Sequence, residues 1–336
     1  MIDVDGSYLE GGGQILRTSL ALSAVTGNPC RIFNIRKGRP KPGLKPQHQK
    51  AVETVARICN AQVKGNRIGS VKVEFIPGSI TGGKFDVDIG TAGSITLLLH
   101  ALIPPLLHAN QDSEINLTGG TNVLWSPTTD FFRHVFCSFI DRMGVNIRMD
   151  VRKHGFYPRG GGKVRLRIQP NTKLKTLSLT RRGRMERIDI WSISSKDLKE
   201  KRVAERQLEA FREVLRVKGH EHLVYVDALS TGTSVHAHAH YSNTKLGADF
   251  LGERGKPAEK IGRECALLLK GQMDSGACLD KWMADQILPY MALAGGDRIY
   301  VAEVTDHCRS NMWVIEKFLP VKFTTEENII SCKKIK

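Results

Sequence analysis

The chain's 336 residues are enough for about two domains, and its 41% hydrophobic and 25% charged content is that of a globular protein, not a disordered one. A formal charge of +16 favours polyanion partners, nucleic acid, nucleotides or an anionic membrane surface, with a plain aid to solubility as the alternative. The longest apolar run, Ile95 to Leu107, falls short of the roughly 20 residues of a spanning helix and holds Pro104-Pro105, so no membrane span is expected. The amino terminus opens on a strand pattern with no signal-peptide character, and a cytoplasmic location is expected. The seven cysteines, at 30, 59, 137, 265, 278, 308 and 332, form no CxxC pair, which excludes a zinc knuckle or a disulfide framework as the organising device.

In chain order, Ile2 to Asp5 reads as a strand, followed by a loop ending in Glu10-Gly11-Gly12-Gly13-Gln14. Ile15 to Thr26 is a helix apolar nearly all round, hence buried, and stopped by Gly27. Arg31 to Ile35 is a strand, Arg36 to Lys45 a basic loop, Pro46 to Ile58 a second helix, and Val63 with Val71 to Phe75 a closing pair of strands. The unit is β-α-β-α-β-β. It returns as the strand Phe85 to Ile89, the glycine loop Gly90 to Ser94, the helix Ile95 to Leu107, the strand Glu114 to Leu117, a polar loop Gly119 to Thr129, the helix Asp130 to Met143, and the strands Val145 to Met149 and Lys163 to Ile168.

A third copy is split. Leu174 to Leu179 supplies its first strand, but the helix that should follow comes only at Leu279 to Leu293. The strand Arg298 to Val301, a loop Thr305 to Asn311, the helix Met312 to Leu319 stopped by Pro320, and strands near Val321–Phe323 and Ile329–Cys332 complete it. Residues 184–276 are therefore an insertion, read as β-α-β-β-α over Ile188 to Ile193, Lys199 to Val217, His222 to Val226, Ser234 to Tyr241 and Lys256 to Lys270. The expected fold is α/β (α+β): three pseudo-symmetric repeats, each with two helices on a four-stranded sheet, over residues 1–183 and 277–336, with a small α/β domain inserted in the third.

Several stretches carry chemistry. The glycine loop before Gln14 lets backbone approach an anion at a helix start, Glu10 is a candidate ligand for a divalent cation, and Gln14 and Arg17 lie about one turn apart, within reach of phosphate oxygens. A tight strand-to-helix turn is the plain alternative. Arg36, Arg39, Lys41 and Lys45, spaced by Gly and Pro with His48 beyond them, form a semi-rigid cationic loop suited to backbone phosphates. His307 and Arg309 precede a helix, where a phosphoryl group would be held; a helix-capping histidine is the alternative. Cys308 has no neighbour that establishes a thiolate. In His154 to Gly162 the glycines favour close backbone packing. His236, His238 and His240 share one strand face, where a metal site competes with three residues that merely fan along the strand.

Taken together, Glu10-Gly11-Gly12-Gly13-Gln14-Ile15-Leu16-Arg17, Arg39-Pro40-Lys41-Pro42-Gly43-Leu44, His154 to Gly162, Ala284-Asp285-Gln286 and His307 ahead of Asn311 closely resemble the RNA 3′-terminal phosphate cyclases. The resemblance implies the three-repeat architecture and a ligase that uses ATP and a divalent metal (Mg or Mn) to close a 2′,3′-cyclic phosphate on RNA with a 3′-terminal phosphate. It implies His307 as the residue that carries AMP, Glu10 as metal ligand, and Gln14, Asp285 and Gln286 around the α-phosphate. Arg17, Arg39 and His48 would hold RNA phosphate or pyrophosphate, and Phe131 and Trp282 would wall the adenine. Trp282 stands where tyrosine can occur, and His100, a further candidate for the nucleotide site, stands where glutamine can. A homodimer is an expected assembly. Two rivals are a non-catalytic cyclase-like RNA-binding protein of ribosomal RNA processing, against which His307 speaks, and an enolpyruvyl transferase, which would need more repeats and no insertion.

Overall fold

The structure, a computed structural model, describes residues 1–216 and 219–335. The first repeat runs β1 (Ile2–Asp5), α1 (Gly13–Thr26), β2 (Cys30–Phe33), α2 (Pro46–Ile58), β3 (Gln62–Lys64) and β4 (Val73–Ile76). The second runs β5 (Lys84–Asp88), α3 (Ile95–Leu107), β6 (Ser113–Gly119), a second helix, β7 (Ile147–Lys153) and β8 (Gly162–Ile168). Their sheets have one topology: β1-β2-β4-β3 and β5-β6-β8-β7, each with one parallel pair followed by two antiparallel ones. The second helix of repeat two is not uniform. It starts as α4 (Thr129–Phe131), widens into a π turn over Phe132–Phe136, and ends as α5 (Cys137–Arg142).

The insertion contains β9 (Met185–Ser195), α6 (Val203–Val214), β10 (Gly219–Val226), β11 (Thr233–Tyr241), β12 (Lys245–Leu251) and α7 (Ala258–Asp274). Repeat three resumes with α8 (Lys281–Leu293), β13 (Gly296–Tyr300), α9 (Asp306–Phe318), β14 (Val321–Glu326) and β15 (Ile329–Lys334). Its sheet is three-stranded, β13-β15-β14. The expected first strand, Leu174 to Leu179, is reduced to a single parallel bridge between Leu179 and Ile299. Leu179 makes both hydrogen bonds available there, to Arg298 and Tyr300. Beyond it the chain turns away to enter the insertion, where Asn243 N–H already binds the Arg182 carbonyl, so the strand has no length over which to pair.

The first helices α1, α3 and α8 are the most buried, as their all-round apolar character requires. α1 packs on α2, α3 and α9, α3 on α2 and α8, and α8 on α9, so one continuous core joins the three repeats. A second core lies inside the insertion, between one face of the sheet β10-β9-β11-β12 and the helices α6 and α7. Gly262 of α7 sits so close to α6 that an added Cβ would lie 2.0 Å from the Gln207 carbonyl oxygen. Gly262→Ala is expected to destabilise the insertion by about 1–3 kcal/mol, read as a lower urea midpoint for an insertion-specific probe.

Two expectations for the insertion need correction. The strand β12 was absent from the β-α-β-β-α reading. Its Gly247 and Ala248 weaken the strand signal, but Phe131 and Val135 of repeat two lie directly over Gly247, where a Cβ would meet the Phe131 ring at 2.6 Å. The helix expected over Lys199 to Val217 is shorter, Val203–Val214, and Val217 lies outside the described residues. The glycines of His154 to Gly162 serve close packing: a Cβ at Gly160 would lie 2.8 Å from the Ala92 Cα, and one at Gly155 2.3 Å from the Gly162 nitrogen. Among the described residues no helix is long and apolar enough to cross a membrane.

Candidate active site

Repeats one and three face each other across a polar cavity of about 480 Å³, lined by Glu10, Lys281, Trp282, Asp285, Glu303, Val304, Thr305, Asp306, His307 and Arg309. This volume lies within the range of small-molecule sites. His307 was expected in a loop. It lies instead in the first turn of α9, because Thr305 caps the helix by accepting the Cys308 N–H at 3.2 Å. The start of α1 brings the glycine loop beside it: Gly12 is so placed that a Cβ would come 3.9 Å from the His307 ring and 3.6 Å from the Arg39 guanidinium.

The imidazole is held at both nitrogens. Nδ1 lies 2.9 Å from the Gln14 side-chain oxygen, and the Gln14 amide donates in turn to Asp285 Oδ2 at 2.6 Å. The bond to the carboxylate fixes which end of the amide faces the ring, so Nδ1 must donate and a neutral ring carries its lone pair on Nε2. Nε2 points at Glu10, 2.9 Å from its carboxylate, and Arg39 lies 3.5 Å from the same oxygen. Asn311 supports this row from beneath: it donates to the Asp285 carbonyl at 2.8 Å and accepts from the buried Thr18 hydroxyl at 2.7 Å.

Burial lowers the His307 pKa; Glu10 opposes it, while Arg17 and Arg39 reinforce it. The net downward direction favours the neutral ring near pH 7. An NMR titration of the ligand-free protein is expected to place the His307 midpoint below its ordinary 6.5. Glu10→Gln, which removes the opposing carboxylate, is expected to lower it further; a midpoint that rises would show that Glu10 does not act on the ring. Burial pushes the Asp285 carboxyl up to about 7 against the pull of Arg17. Burial brings Arg17 down to about 10, leaving it cationic at neutral pH. Cys308, next in sequence to His307, is fully buried with its thiol pushed up to about 12 by burial, so it is no nucleophile.

Of the expected site residues, the structure brings together Glu10, Gln14, Arg17, Arg39, Asp285, His307 and, on the cavity wall, Trp282 with Lys281 5.1 Å over its ring. Gln286 is buried on α8, donates to the Trp282 carbonyl at 2.8 Å and lies beside His100. Three others are placed differently. Phe131 is core, 2% exposed and covered by β12. His100 lies edge-on to Phe132 and Phe136, its pKa pushed down to about 3 by burial and by Arg17. His48 is 4% exposed, caps α2 by accepting the Lys45 N–H on Nδ1, and is held to about 3 by burial beside Arg17, Arg36 and Lys45. It is a neutral brace for the basic loop. Arg36 is another, donating to the Lys41 and Gly43 carbonyls from within that loop.

Residue-by-residue reading passed over Asp280, Thr18, Glu303 and Asp306. Asp280 caps α8 and also accepts the Gly247 N–H, tying the insertion to the helix that carries Trp282 and Asp285. Its place immediately before a helical pattern was the available signal.

Fold and site together define a three-repeat α+β protein with a histidine-centred polar cavity between its first and last repeats. The family model "RNA 3'-terminal phosphate cyclase" matches residues 8–325. The RNA 3′-terminal phosphate cyclase of Methanosarcina barkeri is 44% identical over 330 residues, covering 97% of each chain. That of Pyrococcus furiosus is 42% identical, over 98% of this chain and 96% of its own. The chain belongs to the RNA 3′-terminal phosphate cyclase family. A solved enolpyruvyl transferase, NikO from Streptomyces tendae, aligns with 99% of this chain and 65% of its own at 11% identity and a TM-score of 0.28, too low to bear on the fold.

Proposed function

We propose that this chain cyclises RNA 3′-terminal phosphates at the expense of ATP, through an adenylylated His307. Family membership makes it an RNA 3′-phosphate cyclase, a ligase; the covalent route is our reading of the site. The observation that carries it is the row Asp285–Gln14–His307, which confines the ring proton to Nδ1.

Nε2 attacks the α-phosphorus of ATP. A P–N bond forms, the bond to the bridging oxygen breaks, and pyrophosphate leaves. A terminal 3′-phosphate oxygen of RNA then attacks the same phosphorus, breaking the P–N bond and forming a phosphoanhydride. The neighbouring 2′-hydroxyl closes on the activated 3′-phosphorus, losing its proton and expelling AMP. Charge gathers on phosphate oxygens in every step, so Arg39, Arg309 and Lys281 around the cavity, with the free N–H groups opening α9, supply stabilisation where it is needed. Trp282, partly buried on the cavity wall, offers aromatic surface for the base.

Glu10, Glu303 and Asp306 are hard oxygen donors on one cavity, a set that fits Mg or Mn. Such a cation, when bound, adds fixed positive charge to the polyphosphate. A Glu10 engaged in this way no longer draws a proton onto Nε2. Intact-mass and peptide mass spectrometry after addition of ATP and a divalent ion test the proposal. A gain of one AMP on His307, stable to base and lost in acid, is expected; an unmodified His307 under Mg and Mn alike, with cyclisation intact, overturns it.

A further inference from the structure

The face of the insertion's sheet that is turned away from α6 and α7 carries a histidine cluster that the proposed chemistry does not use. Strand register places His220, Asp189 and His238 in one cross-strand row, with His222, Trp191, His236 and Asp249 in the next. His240 follows on β11. His236 and His238 are each 1% exposed, Asp189 6% and His240 9%.

Hydrogen bonding fixes the protons. Asp249 accepts the Thr128 N–H on one oxygen and lies 2.7 Å from His236 Nδ1 with the other, so that nitrogen donates. In a neutral His236 ring, Nε2 is then the acceptor for His238 Nδ1 at 3.0 Å. This leaves the His238 Nε2 lone pair bare. It faces Asp189 Oδ2 at 3.7 Å, one acceptor against another, and among the described residues nothing donates to it. His240 Nε2 reaches the same oxygen at 2.7 Å. Two facing electron pairs on nearly buried side chains are a preformed acceptor pair for a cation.

We propose that Asp189, His238 and His240 form a binding site for a transition-metal dication of the zinc class, joining the strands β9 and β11 beneath the main body. Their ligand atoms lie within 4.8 Å of one another. The two separations from Asp189 Oδ2, 2.7 and 3.7 Å, bracket the edge of about 3.3 Å expected for a tetrahedron with bonds of about 2.0 Å. His236, braced by Asp249, is the outer partner that holds the His238 ring, the usual support for a ligating imidazole. Binding shifts the His240 proton from Nε2 to Nδ1 and releases no proton overall. His220, whose Nδ1 is 3.0 Å from Asp189 Oδ1, or a water takes the fourth position. Two cations flank the site. Arg187 lies 3.2 Å from Asp189 with an exposed side chain, and Lys245 is turned to the His134 carbonyl at 3.1 Å. They lower the affinity but leave the three lone pairs in place. Two imidazoles with a single carboxylate select zinc or cobalt over magnesium, which separates this site from the all-oxygen donors around Glu10.

The test is titration of the metal-stripped full-length protein with Co²⁺, followed by its visible absorption, and with Zn²⁺ by calorimetry. One equivalent per chain with the bands of a tetrahedral cobalt centre is expected. Glu10→Gln should retain it, and Asp189→Asn and the double variant His238→Gln/His240→Gln should weaken it by more than about tenfold. A wild-type protein with no such bands at one equivalent overturns the site. So does a spectrum that survives in either variant. If the double variant does not fold, the wild-type spectrum and Asp189→Asn decide the matter between them.

Discussion

The His307→Ala variant is expected to lose transfer of ³²P from α-labelled ATP to the protein by about 10³-fold or more, while binding of 3′-phosphorylated RNA persists. The size follows from what the side chain does. A nucleophile has no substitute, whereas a residue that only steadies charge leaves its neighbours at work. The fold should be indifferent to the change. The His307 side chain is 45% exposed, so truncation opens no core cavity, and α9 keeps its Thr305 cap. The groups left behind, Gln14 and Glu10, are a neutral amide still tied to Asp285 and a carboxylate beside Arg39, neither of which is stranded. In the proposed reading RNA binding is assigned to Arg39, Arg309 and the rest of the cationic wall, and it is expected to change little. Protein labelling undiminished in the variant would remove His307 from the chemistry. Lost labelling with unimpaired cyclisation would separate the adduct from the reaction.

How much of this was legible in the sequence depended on whether the signal was local. The two complete repeats were legible because each strand and helix carries its own periodicity, and the parallel-then-antiparallel sheets β1-β2-β4-β3 and β5-β6-β8-β7 repeat the reading. The glycine loop and His307 were legible as separate motifs. Their meeting was not: Gln14 and His307 are 293 residues apart, and no spacing rule reports a contact of that kind. The surroundings of Phe131 and His48 were not legible for a shared reason. An aromatic or a histidine near a basic loop looks like ligand-binding material until its neighbours are known, and here those neighbours are Gly247 on β12 and the Lys45 N–H. β12 itself was hidden because the packing that makes it necessary demands small residues, which weaken a strand pattern. The third repeat's missing strand reflects the same limit: Leu174 to Leu179 has strand character, but the insertion draws the chain away after one bridge.

Asp285→Asn is expected to lower the rate of His307 adenylylation by about 10³-fold with little effect on stability. The substitution changes no shape, so its effect is a matter of proton placement. With Asp285 ionised, its Oδ2 accepts, which turns the Gln14 NH₂ toward it and the Gln14 oxygen toward His307 Nδ1. An asparagine has one acceptor and one donor, and Arg17, cationic at neutral pH and acting on this carboxylate, favours the orientation with the oxygen toward itself. The new NH₂ then faces Gln14, whose amide must reverse to accept from it. The reversed amide donates to Nδ1, which puts the ring proton on Nε2, the atom that attacks in the proposed reaction. Asp285 is thus a positioning residue acting through Gln14. Two observations separate this from a general loosening of the site. The KM for ATP should stay within a few-fold of wild type while kcat falls, because no phosphate contact is removed. The imidazole ¹⁵N shifts of His307 should also exchange their pattern, from Nδ1–H to Nε2–H. An Asp285→Asn protein that keeps the native ¹⁵N pattern and the native rate would mean that Gln14 does not govern the tautomer, and the row would be only a packing contact between repeats one and three.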